Sequence, residues 1–458
     1  MTVRHLVLAS FLLATASLCL SAQGKKPVIL IPGITGSELI NERTKEKVWF
    51  RAVKPKDDDI RLPISIDLTK NRDDIVAGDV IRFIKVGPFA LTDAYGGFIK
   101  AMELRGGYRE EKWDAPSADG DHDSLYVFPY DWRLDNVHNA RLLIRRVDAL
   151  RQKLNKPDLK FDIVAHSMGG IISRYAAMYG DADLPAGAGK INPTWAGAKY
   201  FDKVILMGTP NEGALPALGA LLNGFSLGGM KLELPFLQDS SRFTAFTIPA
   251  CYQLLPAPGT LRAYDDRLEP IELDLYDKRT WARYGWDPIA HKDFPDNFAL
   301  AERRSGPEFF EIMLARAKRL HEALGAANGR SGGVAFHVLG ADCRDALDAI
   351  VLYRDAKDDK YRTLFQPKGF TRSDGYRVSD NDLKKVMFSP GDGMVTRRSL
   401  EAVTASQAAK VQSILGGGKG EFICEDHQDL AANSRVQDRI ISFLDTKTSV
   451  RSEDQDKL

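Results

Sequence analysis

Phe161–Ala165 (FDIVA) is a short, mostly apolar run that leads directly into Ala165-His166-Ser167-Met168-Gly169-Gly170, and an apolar-periodic segment, Ile171–Met178, follows. This is the pattern of a strand that turns sharply into a helix with a serine at the apex. Only small residues fit two positions before and after such a serine, because the turn is tight and its backbone strained. Ala165 and Gly169 stand there. The turn exposes the Ser167 hydroxyl and sets the Met168 N–H beside it at a helix N-terminus. A Ser-Gly turn opening an ordinary helix is the plain alternative. The flanking strand and helix favour a nucleophile.

Similar short runs recur at Pro27–Ile31, Leu125–Phe128, Val204–Met207 and Val334–Leu339, with a weaker one at Lys419–Cys424. Several are continuously apolar, as strands buried on both faces are. Helical patterns lie between them. Leu143, Val147, Leu150 and Leu154 share one face of Ala140–Leu154, and Tyr95, Phe98, Ile99 and Met102 form a second stripe. Both stripes are expected to pack on the sheet without a chemical role. The alternation predicts an α/β fold with a mostly parallel central sheet flanked by helices. Two long stretches break the rhythm, about 38–91 and about 212–330, and are expected to be insertions forming a cap and a lid. Residues 446–458 are a polar C-terminal tail.

At 458 residues, 44% of them hydrophobic, the chain can bury a core that needs no metal or disulfide. Its 63 basic and 62 acidic residues leave a net charge of +1. That balance gives no electrostatic footprint for nucleic acid. Residues 1–22 have a basic start at Arg4 and His5, an apolar run from Leu6 to Leu20, and small residues at Ser21-Ala22. This is the layout of a cleaved signal peptide, so a secreted or periplasmic protein beginning near Gln23 is expected. An uncleaved N-terminal anchor is the alternative, although the run is shorter than a bilayer span. Cleavage removes Cys19 and leaves Cys251, Cys343 and Cys424. Cys343 and Cys424 each follow a core strand, so a bridge between them with Cys251 free is a hypothesis.

A serine hydroxyl is a weak nucleophile until a base removes its proton. In strand–turn–helix serine enzymes the partners follow in the order acid, then His. Four histidines follow Ser167: His291, His321, His337 and His427. His291 lies in the second insertion, His321 in an Ala/Leu/Arg-rich helix where a surface position is expected, and His337 inside a strand. His427 follows the last strand and precedes the C-terminal helix, which is where the base belongs. His166, beside the nucleophile, is expected to point away along the turn as structural support. For the acid the residues offer Asp392, in Pro390-Gly391-Asp392-Gly393, and Asp342, shortly after Val334–Leu339. Asp392 could also be a plain turn former. A tetrahedral oxyanion needs two N–H donors. Met168 supplies one, and Ile34, in the glycine-rich loop Pro32-Gly33-Ile34-Thr35-Gly36-Ser37, is the expected second.

Several motifs resemble the lecithin–cholesterol acyltransferase family, which includes lysosomal phospholipase A2 and phospholipid:diacylglycerol acyltransferases. They are Pro27–Gly33 (PVILIPG), Phe128-Pro129-Tyr130-Asp131-Trp132-Arg133-Leu134, Ala165–Gly170, Gly208-Thr209-Pro210-Asn211-Glu212-Gly213, Gly391-Asp392-Gly393 and His427. They run in order from about residue 27 to 430. The resemblance implies an α/β-hydrolase fold over residues 23–445, acting on lipid acyl esters. By position it implies Ser167 as nucleophile, Asp392 and His427 as its partners, and Ile34 and Met168 as the oxyanion hole. The family often carries Asp where this chain has Ile34, a change that a backbone donor survives. The cysteine positions do not follow the family's bridges, and the insertions that set substrate choice differ most.

Asp131 and Arg133 are expected to tie the loop after their strand to neighbouring backbone. Leu215–Leu237 is rich in Leu and Phe and carries four glycines. It reads as a lid that meets a lipid surface or covers an acyl groove, or otherwise as cap core. Trp281, Tyr284 and Trp286 are cap core or interface aromatics. Asp119–Asp123 lacks the glycine and glutamate of a calcium loop. No metal, cofactor, nucleic acid or protein partner is expected, and the substrate is a lipid or ester at a membrane or lipoprotein-like interface. The expected activity is that of a phospholipase A, lipase or O-acyltransferase. An esterase on other esters and a catalytically silent lipid-binding protein are the alternatives.

Overall fold

The computed structural model describes residues 24–446 except 52–59, 87–88, 186, 188, 227–238, 327–330, 405–407 and 416–419. The expected signal peptide, the C-terminal tail beyond Thr446 and Leu227–Leu237 of the expected lid therefore lie outside the described residues.

Seven strands make the central sheet: β1 (Val28–Ile31), β2 (Arg109–Glu111), β3 (Ser124–Val127), β4 (Phe161–His166), β5 (Phe201–Met207), β6 (Ala335–Gly340) and β7 (Glu421–Phe422). Their spatial order is β2-β3-β1-β4-β5-β6-β7, and every pairing is parallel. All six runs read as strands lie in this one sheet. The short edge strand β2, with the sequence Arg-Glu-Glu, has no apolar run to announce it.

Alternate residues serve opposite faces because the strand period is two. Ile29 and Ile31 of β1 join one core layer, while Val28 and Leu30 join the opposite layer. The helices are α1 (Gly96–Leu104), α2 (Asn136–Lys153), α3 (Met168–Tyr179) and α4 (Ser434–Asp445). Leu143 and Val147 of α2 and Ile171, Ile172 and Tyr175 of α3 cover the first face. Phe98 and Met102 of α1 and Val436 and Ile440 of α4 cover the second. Both sequence stripes pack on the sheet, and the Tyr95 hydroxyl also makes the hydrogen bonds described below.

The direction of strand addition matters more than the layers. After β1 the chain adds β3 and β2 on one side, then crosses through α2 to place β4, β5, β6 and β7 on the other. The carboxyl ends of β1 and β4 therefore meet at a topological switch point. In open parallel sheets such a switch point is where functional sites lie.

The insertions are built of separate small units. Ser37–Asn41, Lys47–Trp49 and Ile75–Val80 form an antiparallel three-stranded sheet. In the second insertion, Phe243, Phe246, Phe294, Phe298, Phe309 and Phe310 pack as an aromatic cluster against the long helix Leu300–Gly325. Trp281, Tyr284 and Trp286 are all buried in this core. A third irregular stretch was not foreseen. Ala349–Arg354 pairs with Arg262–Tyr264, and Arg344–Leu347 pairs with Phe388–Gly391. Buried Asp348 ties these pieces together by accepting from Arg262, Arg398 and Ser389. Among the described residues no helix is long and apolar enough to cross a membrane.

His321 departs from the expectation of a surface residue. It lies on the face of its helix that carries Phe310, Leu314, Ala317 and Leu324, and it is 5% exposed. Burial pushes its imidazole down to about 4, below the roughly 6.5 of an unfolded histidine. The unfolded chain therefore takes up this proton first as pH falls. Stability that is intact above about pH 6.5 is lost progressively towards pH 4. His321→Gln is expected to remove about 2–3 kcal/mol of the stability difference between pH 7 and pH 4.5, measured by urea unfolding at both pH values.

Candidate active site

Strand β4 ends at His166, and α3 begins at Met168, so Ser167 alone makes the turn. Its φ of 52° and ψ of −123° put a non-glycine residue in a sparsely populated region, a strain that persists only where the surroundings enforce it. They do so by close contact. A Cβ on Gly169 would lie 2.6 Å from the Pro32 carbonyl oxygen and 2.7 Å from that of Ile31. A Cβ on Gly33 would lie 2.9 Å from the Cβ of Ser167. The loop after β1 and the turn after β4 thus touch at distances only glycine allows. Ala165, fully buried, sits between Ile31 of β1 and Leu206 of β5.

The structure brings Ser167, His427 and Asp392 together. His427 Nε2 is 2.9 Å from Ser167 Oγ, and His427 Nδ1 is 2.7 Å from Asp392 Oδ2. All three are buried. A carboxylate can only accept, so the proton of the neutral ring sits on Nδ1 and the Nε2 lone pair faces the serine hydroxyl. Asp392 is itself held: its Oδ1 accepts from the N–H groups of Met394 (3.1 Å) and Val395 (2.7 Å), and its carbonyl accepts from the His427 N–H at 2.8 Å. Asp342, the other acid the residues offered, is engaged by Arg397 at 2.8 Å instead. His337 stacks on Phe443 at 4.2 Å between ring centres, and His291 packs against Phe243. Neither reaches the serine.

The two expected oxyanion donors flank this group. Met168 is the first residue of α3, where an N–H has no partner within the helix. Ile34 lies in a turn closed by the Gly36 N–H on the Gly33 carbonyl at 3.1 Å. Neither the Ile34 nor the Met168 N–H has a hydrogen-bond partner among the described residues. Four aromatic side chains brace the Ile34 loop. Tyr130 donates to the Pro32 carbonyl at 2.8 Å, Trp132 Nε1 to the Ser37 carbonyl at 3.2 Å, and Trp49 Nε1 to the Thr35 carbonyl at 3.0 Å. The fourth is Tyr95, whose hydroxyl accepts from the Gly33 N–H at 2.8 Å.

Two of these braces come from the Pro-Tyr-Asp-Trp-Arg stretch. Its Arg133, fully buried, is paired on both sides, to Asp131 and to Asp73 of the first insertion. It also donates to the Ile60 carbonyl, so the expected tie to backbone extends to a second carboxylate. Sequence reading assigned no role to Tyr130, Trp49 or Tyr95. The signal for Tyr130 and Trp132 was their place beside the Asp-Arg pair; Tyr95 offered none beyond its position in an apolar stripe. His166 differs from expectation. Its ring does not point away but lies 5.1 Å from that of His427, within hydrogen-bond reach of the Tyr95 hydroxyl and the His427 carbonyl.

Cys343 and Cys424 are joined, with Cα atoms 5.4 Å apart. Cys251 is buried and free, and burial pushes its thiol up to about 12. The bridge links the segment after β6 to the one carrying His427. The carboxylates of Glu425, Asp426 and Asp429 lie within 4.8 Å of one another near the surface. Arg344 pairs with Asp426 and Asn433 with Glu425, which accounts for two of them without an ion.

A parallel sheet covered on both faces, with a strained serine turn after a central strand and loops converging at the switch point, is the α/β-hydrolase fold. Residues 121–278 match the family model of lecithin:cholesterol acyltransferase, so the resemblance to that family holds over this stretch. Among solved structures, the chain is similar to one in the crystal structure of a Tle4–Tli4 complex, with 14% identity and a TM-score of 0.48 over 92% of this chain and 98% of that one. It is also similar to phospholipase PlaB from Legionella pneumophila, with 12% identity and a TM-score of 0.25 over 60% of this chain and 37% of that one. Lipase 1 from Pelosinus fermentans gives 12% identity and a TM-score of 0.30 over 92% and 98%. Among curated proteins there is no match.

The bridge joins residues 81 apart in sequence. Chain entropy alone assigns such a crosslink about 4–5 kcal/mol, and measured values usually fall below the entropic figure. The double variant Cys343→Ala/Cys424→Ala is expected to lose about 2–4 kcal/mol in urea unfolding, with no further loss on adding reductant.

Proposed function

We propose that this chain is an exported lipid acyl-ester hydrolase or acyltransferase that works through Ser167, His427 and Asp392 and an acyl-enzyme. The observation that carries the proposal is the continuous hydrogen-bonded line from Ser167 through His427 to Asp392, at 2.9 and 2.7 Å, near the Ile34 and Met168 N–H groups, which have no partner among the described residues. Its parts match what acyl transfer requires: a nucleophile, a base in the correct tautomer, a carboxylate that holds it, and donors for the oxyanion.

In the first step Ser167 Oγ bonds to the ester carbonyl carbon while its proton passes to His427 Nε2. The carbonyl π electrons move to oxygen, which the Ile34 and Met168 N–H groups receive. Asp392 stabilises the imidazolium without taking its proton. Collapse breaks the bond to the alcohol oxygen, which leaves with the proton from Nε2. In the second step water or an alcohol attacks the acyl-enzyme, giving its proton to Nε2, and Ser167 departs with that proton. Water releases a free acid and an alcohol forms a new ester.

The lipid class is supported by the family match over residues 121–278 and by the apolar character of Leu215–Leu237. In the described part of that stretch, the helix Pro216–Asn223 buries Leu218 and Leu221, and Phe225 packs against Trp49 and Trp132. Export is supported by the sequence of residues 1–22 and by the disulfide, which needs an oxidising compartment.

Ser167→Ala is expected to lose at least about 10⁴-fold in turnover while remaining folded. Asp392→Asn, which leaves the ring with the wrong tautomer, is expected to lose about 10⁴-fold. The test is product analysis on mixed phospholipid vesicles with and without a long-chain alcohol, together with labelling of Ser167 by a fluorophosphonate. Full activity in Ser167→Ala overturns the assignment. Turnover of short soluble esters alone would remove the lipid class and keep the mechanism. Mature protein is expected to begin near Gln23 on N-terminal sequencing.

A further inference from the structure

We propose that Tyr95 and His166 are positioning residues, forming one hydrogen-bonded strut that holds the oxyanion loop and the base at a fixed distance from Ser167. This rests on the catalytic reading above. Tyr95 Oη is 2.8 Å from the Gly33 N–H and 2.7 Å from His166 Nδ1, and His166 Nε2 is 3.0 Å from the His427 carbonyl. Both side chains are buried, at 4% and 7% exposure.

The direction of each bond follows from chemistry. A carbonyl only accepts, so His166 carries its proton on Nε2 and donates to His427. The bare Nδ1 must then accept, so the Tyr95 hydroxyl donates to it. A Tyr95 lone pair is left to receive the Gly33 N–H. Every group along the line is satisfied once, and the order runs one way. Burial favours the neutral ring, pushing it down to about 3, so the pattern survives into mildly acidic solution.

What the strut holds is specific. The His427 backbone is gripped at both ends: its N–H by the Asp392 carbonyl at 2.8 Å and its carbonyl by His166. Gly33 immediately precedes Ile34, so fixing the Gly33 N–H fixes the approach of the proposed oxyanion donor. The start of α1 is itself anchored, because the N–H groups of Ala94, Tyr95 and Gly96 all reach the Arg82 carbonyl. Four segments distant in sequence, at Gly33, Tyr95, His166 and His427, are thus tied in one line. A misplacement of about 1 Å in such a group costs about 100-fold in rate.

The test compares Tyr95→Phe, His166→Gln and His166→Leu in the full chain. Active serines are counted by fluorophosphonate titration to saturation, and p-nitrophenyl butyrate turnover is expressed per titrated serine. Tyr95→Phe and His166→Leu are expected to lower kcat per titrated site by about 10–100-fold with KM within about twofold. His166→Gln, whose amide N–H can still reach the His427 carbonyl, is expected to recover part of the loss. The Tyr95→Phe/His166→Leu double variant is expected to fall less than the product of the single losses. Unchanged kcat per titrated site, with only the melting temperature or the fraction of titratable serine reduced, overturns the strut. So does a full recovery that Leu matches as well as Gln. If Tyr95→Phe does not fold, the Gln and Leu variants at 166 decide alone. A wild-type protein that is not labelled at Ser167 overturns the underlying catalytic reading; labelled wild type with unimpaired variants overturns only the strut.

Discussion

The side-by-side pairing of β1 and β4 is the constraint on which the rest depends. Ile31 lies opposite Ala165 in the parallel register, and beyond that pair β1 breaks into its loop at Pro32 and β4 into its turn at Ser167. The chain needs Ala and Gly here for a steric reason. Gly169 approaches the Ile31 and Pro32 carbonyls, and Gly33 approaches Ser167, at distances a methyl group would violate. The strained Ser167 backbone is the local cost, and the buried sheet on either side offsets it. Because strands are added to opposite sides of this pair, nothing covers their carboxyl ends from within the sheet.

The loop after β1 is held by the polar tips of buried aromatic side chains. Tyr130, Trp132, Trp49 and Tyr95 each spend their single polar group on the loop between Pro32 and Ser37. Their rings are buried, so each is an apolar body with a directed tip. Behind them Arg133 sits between Asp131 and Asp73, a buried ion cluster whose geometry satisfies the guanidinium on both edges. Such a cluster adds little net stability compared with an apolar replacement, but removing one partner strands a buried charge. Its effect is to lock the first insertion against the strand-end loop, which bears on the site through Tyr130 and Trp132.

His427 and Asp392 are held in a different way. Asp392 enters on a hairpin-like pairing of Arg344–Leu347 with Phe388–Gly391, and His427 enters just beyond the Cys343–Cys424 bridge. Both segments leave the far half of the sheet, so the pairing and the bridge converge on one rim. The sequence favours Asp392 over Asp342, in part through the resemblance, and this arrangement brings Asp392 to His427. Both acids follow plausible strands, and only the fold shows Asp342 turned to Arg397. His321 illustrates the converse: the signal was in the sequence, since it falls in step with Phe310, Leu314, Ala317 and Leu324, but its polarity argued for solvent. Tertiary packing of the aromatic cluster overrode that preference.

What the amino-acid sequence determined alone was everything governed by local pattern. Short, mostly apolar runs marked six of the seven strands, because burial on both faces favours apolar residues. Small residues around Ser167 marked the turn, because steric crowding acts between neighbours. The position of His427 after the last strand followed from chain order. What only the tertiary structure decided were contacts between residues far apart along the chain. The edge strand β2, the braces on the Ile34 loop and the line from Gly33 through Tyr95 and His166 to His427 are of this kind. A tyrosine in an apolar stripe looks like core from sequence, since its ring is buried as core is. Where its hydroxyl finds a partner depends on which loops the sheet brings over it, and no periodicity encodes that.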